Sequence, residues 1–138
     1  DYTFKKSERI NSQLVVDKLF GGGNTAMSVF PLRAIYMTEE RCDAPTPVRI
    51  LVSVPKKRFK HAVDRNRLKR QIREAYRLNK HELWRIAEER NMLVSIAFIS
   101  TTDLPVDSSK VVRSMKKILA RVGENIVYSK STAQDTNS

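Results

Sequence analysis

The chain has 138 residues, of which 41% are hydrophobic and 30% are charged, and its formal net charge is +11. That length and composition predict one globular domain with a single core, and they exclude a disordered tail protein. The positive charge indicates a polyanionic partner. Nucleic acid is favoured over a membrane surface, because no apolar stretch approaches about 20 residues.

Few side chains of the chain suit metal or redox chemistry. Cys42 is the only cysteine, and His61 and His81 are the only histidines. An internal disulfide and a thiolate metal cluster are therefore excluded, a zinc site is not expected, and Cys42 is interpreted as an inert loop thiol. A reducing, cytoplasmic location is the default expectation for such a chain.

The first half of the chain is predicted to form one helix and two strands. Apolar residues at helical spacing predict a short helix over 10–20, which the glycines at 21–23 end. A phosphate-binding glycine loop is excluded there, because no strand precedes the glycines and no Gly-Lys-Ser/Thr follows them. Residues 27–37 predict a strand with Pro31 at an edge or an early bend, and residues 49–54 predict a central strand.

The second half is predicted to hold a basic helix, a buried strand and a final helix. The basic helix runs over 64–79, with Asp64 as its N-cap. Residues 92–99 are nearly all apolar, which predicts a strand buried on both faces. The final helix is amphipathic, begins at the serine pair 108–109 and ends at Gly123.

The order of these elements predicts an α+β fold of the form α-β-β-(β)-α-β-α, a sandwich in which helices pack on one small mixed sheet. The bracketed strand is an optional one within 24–48. Residues 81–90 continue as helix or irregular chain, and the connection over 54–92 is a β-α-β crossover that contains the basic helix. A single domain is expected over 1–128, with a disordered tail over 129–138.

The basic helix belongs to a run over 56–80 that dominates the charge of the chain. This run holds eleven Lys or Arg and two acidic residues, so it carries +9 of the net charge of +11. Solubility requires net charge but not clustering, so the run is interpreted as a polyanion-binding face. The alternative is a solvated helix face, but such faces normally alternate in sign, and this one does not.

A helical projection at 100° per residue divides the basic helix into two sides. An apolar stripe about 100° wide is predicted to pack on the sheet. It consists of Leu68, Ile72, Ala75, Tyr76 and Asn79. The remaining surface is rich in arginine, which suits planar, bidentate contacts to phosphate, and the helix N-terminus favours anions as well.

The residues alone indicate a nucleic-acid binder without an active site. The aspartates of the chain are scattered and lack the spacing of a two-metal nuclease, and His61 is interpreted as a further phosphate contact rather than a general base. Two other classes stay open at this point. One is a ribosomal or RNA-chaperone protein, and the other is a DNA-binding regulator, which is disfavoured because no helix-turn partner precedes the basic helix.

The basic run closely resembles the signature of the bacterial ribonuclease P protein component. The core of that signature, Arg-Asn-Arg-x-Lys-Arg-x-x-Arg-Glu, is complete over 65–74, and the resemblance covers roughly 4–122. The resemblance implies a ribosomal-protein-like fold with a left-handed β-α-β crossover, against the general preference for the right-handed form. One departure is Lys60, which stands where the family usually has glycine and adds positive charge to that loop.

The resemblance also implies a function. The family member is an endoribonuclease holoenzyme subunit that joins a large catalytic RNA and assists removal of the 5′ leader from precursor tRNA. The catalytic centre and most of the magnesium ions are expected in the RNA partner, and no metal site is expected on this chain. The residues expected to bind the catalytic RNA are Lys56, Lys57, Arg58, Lys60, Arg65, Asn66, Arg67, Lys69, Arg70 and Arg73.

In the family, a cleft between the sheet and the first helix receives the single-stranded leader on aromatic residues, which stack bases without strict sequence choice. Phe20 and Tyr36 are matched to two cleft positions. Val16 stands where an aromatic residue is common, so stacking is expected to be weaker there or to be supplied by Phe30. The alternative for Phe20 and Tyr36 is simple core packing.

Overall fold

A computed structural model describes residues 6–57 and 60–137, with side chains described as far as Tyr128. Four α-helices and four strands follow a short 3₁₀ helix at Lys6–Glu8. In chain order they are α1 (Gln13–Phe20), β1 (Thr25–Val29), β2 (Leu32–Glu40), β3 (Val48–Ser53), α2 (Ala62–Asn79), α3 (His81–Glu89), β4 (Met92–Ser100) and α4 (Ser108–Asn137).

The four strands form one mixed sheet in the order β1-β2-β4-β3. Antiparallel pairing joins β1 to β2 and β2 to β4, whereas β3 runs parallel to β4. The predicted α+β class is therefore confirmed, and α2 and α3 lie in the connection between the two parallel strands. The left-handed sense of this crossover, which the resemblance implies, stays a prediction.

Two predictions about the strands are wrong. The single strand predicted over 27–37 is a hairpin, in which a turn at Phe30 and Pro31 separates β1 from β2 and Val29 lies opposite Leu32. The optional strand predicted within 24–48 is therefore present. Pro31 has no N–H to give to a sheet, and its carbonyl accepts a hydrogen bond from Thr101 N at 2.9 Å. The strand predicted to be central is β3 at the sheet edge, and β4, buried on both faces as predicted, is central instead.

The N-terminal segment covers part of the exposed edge of β3. Arg9 and Ile50 form an isolated parallel bridge, and Ile10 N donates to Ile50 O at 2.9 Å. Because Ile10 takes part in this pairing, α1 begins at Gln13 rather than at residue 10. The edge of the sheet next to α2 is thereby capped by the chain's own N-terminal segment.

The two faces of the sheet differ in what covers them. Residues Leu32, Ala34 and Tyr36 of β2 point to the main core, which is built with α2, α3 and α4. The opposite face carries a smaller cluster in which Val15 and Leu19 of α1 pack on Ala97. The short α1 covers only part of this second face, and the rest of the face is open.

The bounds of two helices also differ from the predictions. α2 begins at Ala62 with His61 as its N-cap residue, so Asp64 is not the cap and lies in the first turn. α4 continues through Gly123, which the sequence marks as an end, because tertiary packing overrides the preference of glycine for helix ends. Gly123 faces Ile86 of α3, and the disorder predicted for 129–138 stays a prediction.

Within the described ranges 6–57 and 60–137, no helix is both long and apolar enough to cross a bilayer.

The contact between Gly123 and α3 gives a stability prediction. A β-carbon at position 123 would lie 3.0 Å from Ile86 Cδ1, so Gly123→Val must displace α3 or force its own side chain off a preferred rotamer. We expect the free energy of unfolding to fall by about 1–3 kcal/mol in urea titrations. Ala120→Val is the matched control on the exposed side of the same helix, and an equal loss in both variants would contradict the prediction.

Candidate nucleic-acid interface

The orientation of α2 places its cations outside. Leu68, Ile72, Ala75 and Tyr76 are buried against the sheet and the other helices, as the helical projection predicts. Asn79, the fifth residue of the predicted stripe, is half-buried and donates a hydrogen bond to Ala75 O. The apolar stripe leaves the arginines and lysines of α2 no inward position, so they lie on its outer surface.

The outward cations form the candidate interface, which we call the basic face. Its described members are exposed or half-buried. They are Lys56, Lys57, Lys60, Arg65, Asn66, Arg67, Lys69, Arg70 and Arg73. Arg58 also belongs to the predicted set but lies outside the described residues. The structure thus brings the described part of the predicted RNA-binding set together at α2 and the loop that leads into it.

Few of these cations are neutralised by the chain itself. Among the described residues, the salt bridges at α2 join Arg77 to Glu74 and Lys80 to Glu8, and none involves Arg67, Lys69 or Arg70. Glu74 has a lowered pKa because Arg77 donates hydrogen bonds to it, so Glu74, one of the two acidic residues of α2, stays charged and bound to Arg77. Arg67, Lys69 and Arg70 therefore keep their positive charge available to a polyanion.

Two interactions shape the N-terminal part and the border of the basic face. Arg65 Nη1 donates to Lys60 O at 3.1 Å, which ties the loop to the first turn of α2. Partial burial lowers the pKa of Arg73, and the nearby charge of Arg9 lowers it further. Arg9 therefore lies close enough to α2 to act electrostatically on the basic face, although it is far from the motif in sequence.

A polar cluster behind α2 fixes the helix relative to α3. Trp84 Nε1 donates to the Tyr76 hydroxyl at 2.9 Å, and Lys80 Nζ lies 4.6 Å from the centre of the Trp84 ring. Burial raises the pKa of Tyr76, which favours the neutral hydroxyl that accepts this hydrogen bond. The cluster gives α2 a fixed support rather than a further binding surface.

The charge on α3 contrasts with that on α2. Arg85 is bound by both Glu82 and Glu89, and Arg41 of the loop after β2 lies 3.6 Å from Glu88. Signs alternate on this side, which is typical of a solvated surface and unfavourable for binding a polyanion. The α3 surface therefore lacks the unbroken positive charge of the basic face.

The second candidate surface is the part of the sheet that α1 leaves open. In the sheet register, Ile99 lies between Ser53 of β3 and Arg33 of β2, one row beyond the Ala97 row that α1 covers. These side chains are exposed or half-buried, as are those of β1 and β2 beside them. We call this the open sheet surface, and it consists of Ala26, Ser28, Arg33, Ile35, Ser53 and Ile99.

Phe20, Phe30 and Val16 lie near this surface. Phe20 ends α1 and is 46% exposed, and Phe30 in the β1–β2 turn is 62% exposed. β1 lies between them in the chain, so Phe20 precedes one end of that strand and Phe30 follows the other. Val16 is half-buried and packs in the small cluster under α1.

Tyr36 does not lie on the open sheet surface. It is 7% exposed and belongs to the main core, on the sheet face that α2, α3 and α4 cover. Side chains alternate along a strand, so the residue of β2 that faces α1 at this point is Ile35. The assignment of Tyr36 to a cleft beside α1 is corrected accordingly, and the alternative of core packing describes it.

Arg33 is a candidate residue that the sequence reasoning missed. It lies on the open sheet surface between two buried neighbours, Leu32 and Ala34. An arginine that alternates with buried apolar residues in a strand marks the solvent side, so the period-2 pattern contained the signal. The pattern was obscured because residues 27–37 were predicted to form one continuous strand that includes Pro31.

The described residues offer no group for a metal on the protein. Among them, no three His, Cys, Asp or Glu side chains are close enough together to hold an ion.

Comparisons with known proteins show the family of the chain. The family model described as Ribonuclease P matches residues 4–123. The chain is 42% identical over 127 residues to the ribonuclease P protein component of Porphyromonas gingivalis, covering 91% of this chain and 90% of that one. It is 29% identical over 136 residues to the protein of the same name from Chlorobium phaeobacteroides, covering 94% and 92%.

A solved structure shares the fold. The Staphylococcus aureus RNase P protein superposes with a TM-score of 0.66 at 19% identity, covering 85% of this chain and 96% of that chain. The fold, the outward cations of α2 and the family match over residues 4–123 lead to one conclusion: the chain belongs to the ribonuclease P protein family.

Proposed function

We propose that the protein is the RNA-positioning subunit of ribonuclease P, acting in the cytoplasm in tRNA 5′ maturation. In this proposal the basic face binds the catalytic RNA, and the open sheet surface receives the 5′ leader of precursor tRNA. The single observation that supports it most is the basic face itself, where α2 buries its apolar stripe and presents Arg67, Lys69 and Arg70, which form no salt bridge with another described residue.

The chemistry assigned to this chain is binding. Arginine forms paired hydrogen bonds to phosphate, and neutralising phosphates releases counterions, so the basic face would hold a folded RNA strongly at low salt. Magnesium, which the resemblance expects mainly on the RNA partner, would supply the hydrolytic chemistry there. The protein would contribute by shielding phosphate charge where the RNA strands meet.

The open sheet surface supports the leader part of the proposal. Phe20 and Phe30 are exposed aromatic rings, Ile35 and Ile99 are half-buried apolar side chains, and Arg33 adds a cation between them. Rings and apolar side chains stack on single-stranded bases without sequence choice, and an arginine binds the backbone. A leader bound here would favour precursor over mature tRNA, because the mature product lacks that segment.

The two surfaces adjoin each other through β3. This strand contributes Ser53 to the open sheet surface, and Lys56 and Lys57 of the basic face follow three and four residues later. An RNA strand leaving the basic face would therefore meet the open sheet surface within a few nucleotides. This adjacency favours one continuous RNA path over two independent sites.

Reconstitution tests the proposal directly. The protein is added to the catalytic RNA of a bacterial ribonuclease P together with precursor tRNA at low magnesium, and leader cleavage is followed on a gel. We expect cleavage to be stimulated, because shielding of phosphates lowers the magnesium that the RNA requires. Absence of stimulation would contradict the proposal, and stronger binding to duplex DNA than to the catalytic RNA would favour a DNA-binding regulator.

The salt dependence of RNA binding tests the basic face. If about six phosphates are neutralised, log affinity should fall with log salt with a slope of roughly −4 to −5. Arg65→Ala/Arg67→Ala should make the slope shallower by about 1.5 while the melting temperature stays nearly unchanged, because Arg67 is exposed and Arg65 half-buried.

Arg85→Ala/Lys116→Ala is the matched control, since it removes the same charge from the α3–α4 side of the molecule. Its slope should equal that of the unmodified protein. A similar change in both double variants would show that total charge, and not the basic face, determines the binding.

Substitution of Phe20 tests the open sheet surface. Phe20→Ala should weaken binding of precursor tRNA to the holoenzyme by about 1–3 kcal/mol and leave binding of mature tRNA unchanged, because the lost ring stacks on the leader alone. The ratio of the two Kd values is the measurement. Tyr128→Ala removes an exposed ring from α4 and should leave the ratio unchanged, and equal ratios in both variants would contradict the prediction.

A further inference from the structure

A fully buried ion pair joins the N-terminal segment to the junction of α2 and α3. Lys80 Nζ lies 2.8 Å from Glu8 Oε1, and the side chains are 2% and 0% exposed. The same ammonium group lies over the Trp84 ring, whose N–H donates to Tyr76. Charges are costly to bury, so a pair in this position requires good geometry from all its neighbours.

The ion pair is one of several bonds that hold the residues around Arg9. Thr46 Oγ1 donates to Ser7 O at 3.3 Å, and Arg9 N donates to Lys6 O at 3.1 Å. Arg9 itself bridges Ile50 at the edge of β3. The segment is thus held to the sheet on one side of Arg9 and to the α2–α3 junction through Glu8 on the other.

The pairing with β3 determines where Arg9 points. Ile10 packs in the small cluster under α1, on one face of the sheet. Neighbouring side chains in an extended segment point to opposite faces, so Arg9 points to the face that carries α2. Its charge acts on Arg73, which is the last member of the row Arg65, Lys69 and Arg73 along α2. An anion that contacts both guanidinium groups would offset the repulsion between them.

We propose that the buried Glu8–Lys80 ion pair is a positioning device that holds Arg9 beside Arg73, so that a cation of the N-terminal segment continues the basic face. The proposal rests on the proposed function and adds a residue to it. Arg9 is the phosphate-binding residue, and Glu8 and Lys80 act through it. The ion pair has no net charge, so it adds nothing to the basic face except the position of Arg9.

An apolar pair at these positions would fill the space but would leave the direction of the segment less defined. The Glu8–Lys80 contact fixes one oxygen against one nitrogen, and the position of Lys80 is in turn limited by the Trp84 ring. Buried polar contacts of this kind select one arrangement among several of similar packing. Arg9 requires such a selection, because the N-terminal segment must hold it in one position beside the basic face.

The experiment compares the salt dependence of binding to the catalytic RNA of ribonuclease P across four proteins. Arg9→Ala should make the slope of log affinity against log salt shallower by about 0.7–0.9, the value for one phosphate. Glu8→Gln/Lys80→Met removes both buried charges without changing net charge, and it should give the same shallower slope. Adding Arg9→Ala to that double variant should change the slope no further.

Folding is checked by circular dichroism. If Glu8→Gln/Lys80→Met does not fold, Glu8→Asp replaces it, because this change keeps both charges and shortens the side chain by one methylene. Glu8→Asp should also move the slope toward that of Arg9→Ala. Arg9→Lys should restore most of the slope of the unmodified protein, which a purely structural role of Arg9 does not predict.

The outcomes separate this inference from the proposed function. If the unmodified protein binds the RNA with the steep slope and Arg9→Ala leaves it unchanged, the inference is overturned and the proposed function stands. If Arg9→Ala changes the slope but the folded ion-pair variant retains the steep slope, the positioning role is overturned. If the unmodified protein shows no salt-dependent binding, the proposed function fails and the inference fails with it.

Discussion

The packing of α2 on the sheet determines where the charge of this protein lies. Leu68, Ile72 and Tyr76 are buried in the main core, and full burial of a large apolar side chain contributes about 1.5–3 kcal/mol. Repulsion between like charges one turn apart costs a few tenths of a kcal/mol for each pair. Burial is the larger effect, so the helix folds with its cations together on the outside and retains the repulsion that a polyanion relieves.

The same sheet provides two different surfaces because its two faces are covered unequally. Three helices cover one face, whereas the eight-residue α1 covers the other only in part. β3 contributes to the open sheet surface and leads directly into the basic face. The two candidate RNA contacts are therefore neighbours because one strand ends at the point where the basic loop begins.

The sequence predicted the α2 side of the molecule well and the sheet face less well. Helical spacing and charge are local signals, so the buried stripe of α2 and its outer cations could be read without knowing the fold. Tyr36 shows why the sheet was harder. The face to which a strand residue points depends on where the strand begins, and a break at Pro31 that was read as a bend left the strand register unresolved. Arg33 was overlooked for the same reason.

Long-range contacts could not be predicted from the sequence, for a different physical reason. Glycine commonly ends helices, so the local sequence predicts that α4 ends at Gly123. In the fold, α4 continues past Gly123, and the glycine allows close contact with Ile86 of α3. Glu8 and Lys80 are 72 positions apart, and nothing near either residue signals that they meet in the interior. Local patterns specify elements and charged surfaces, whereas the positions that join distant segments follow only from the assembled fold. Arg9 belongs to this second kind, because its place beside the basic face depends on an ion pair and a strand bridge that no local pattern contains.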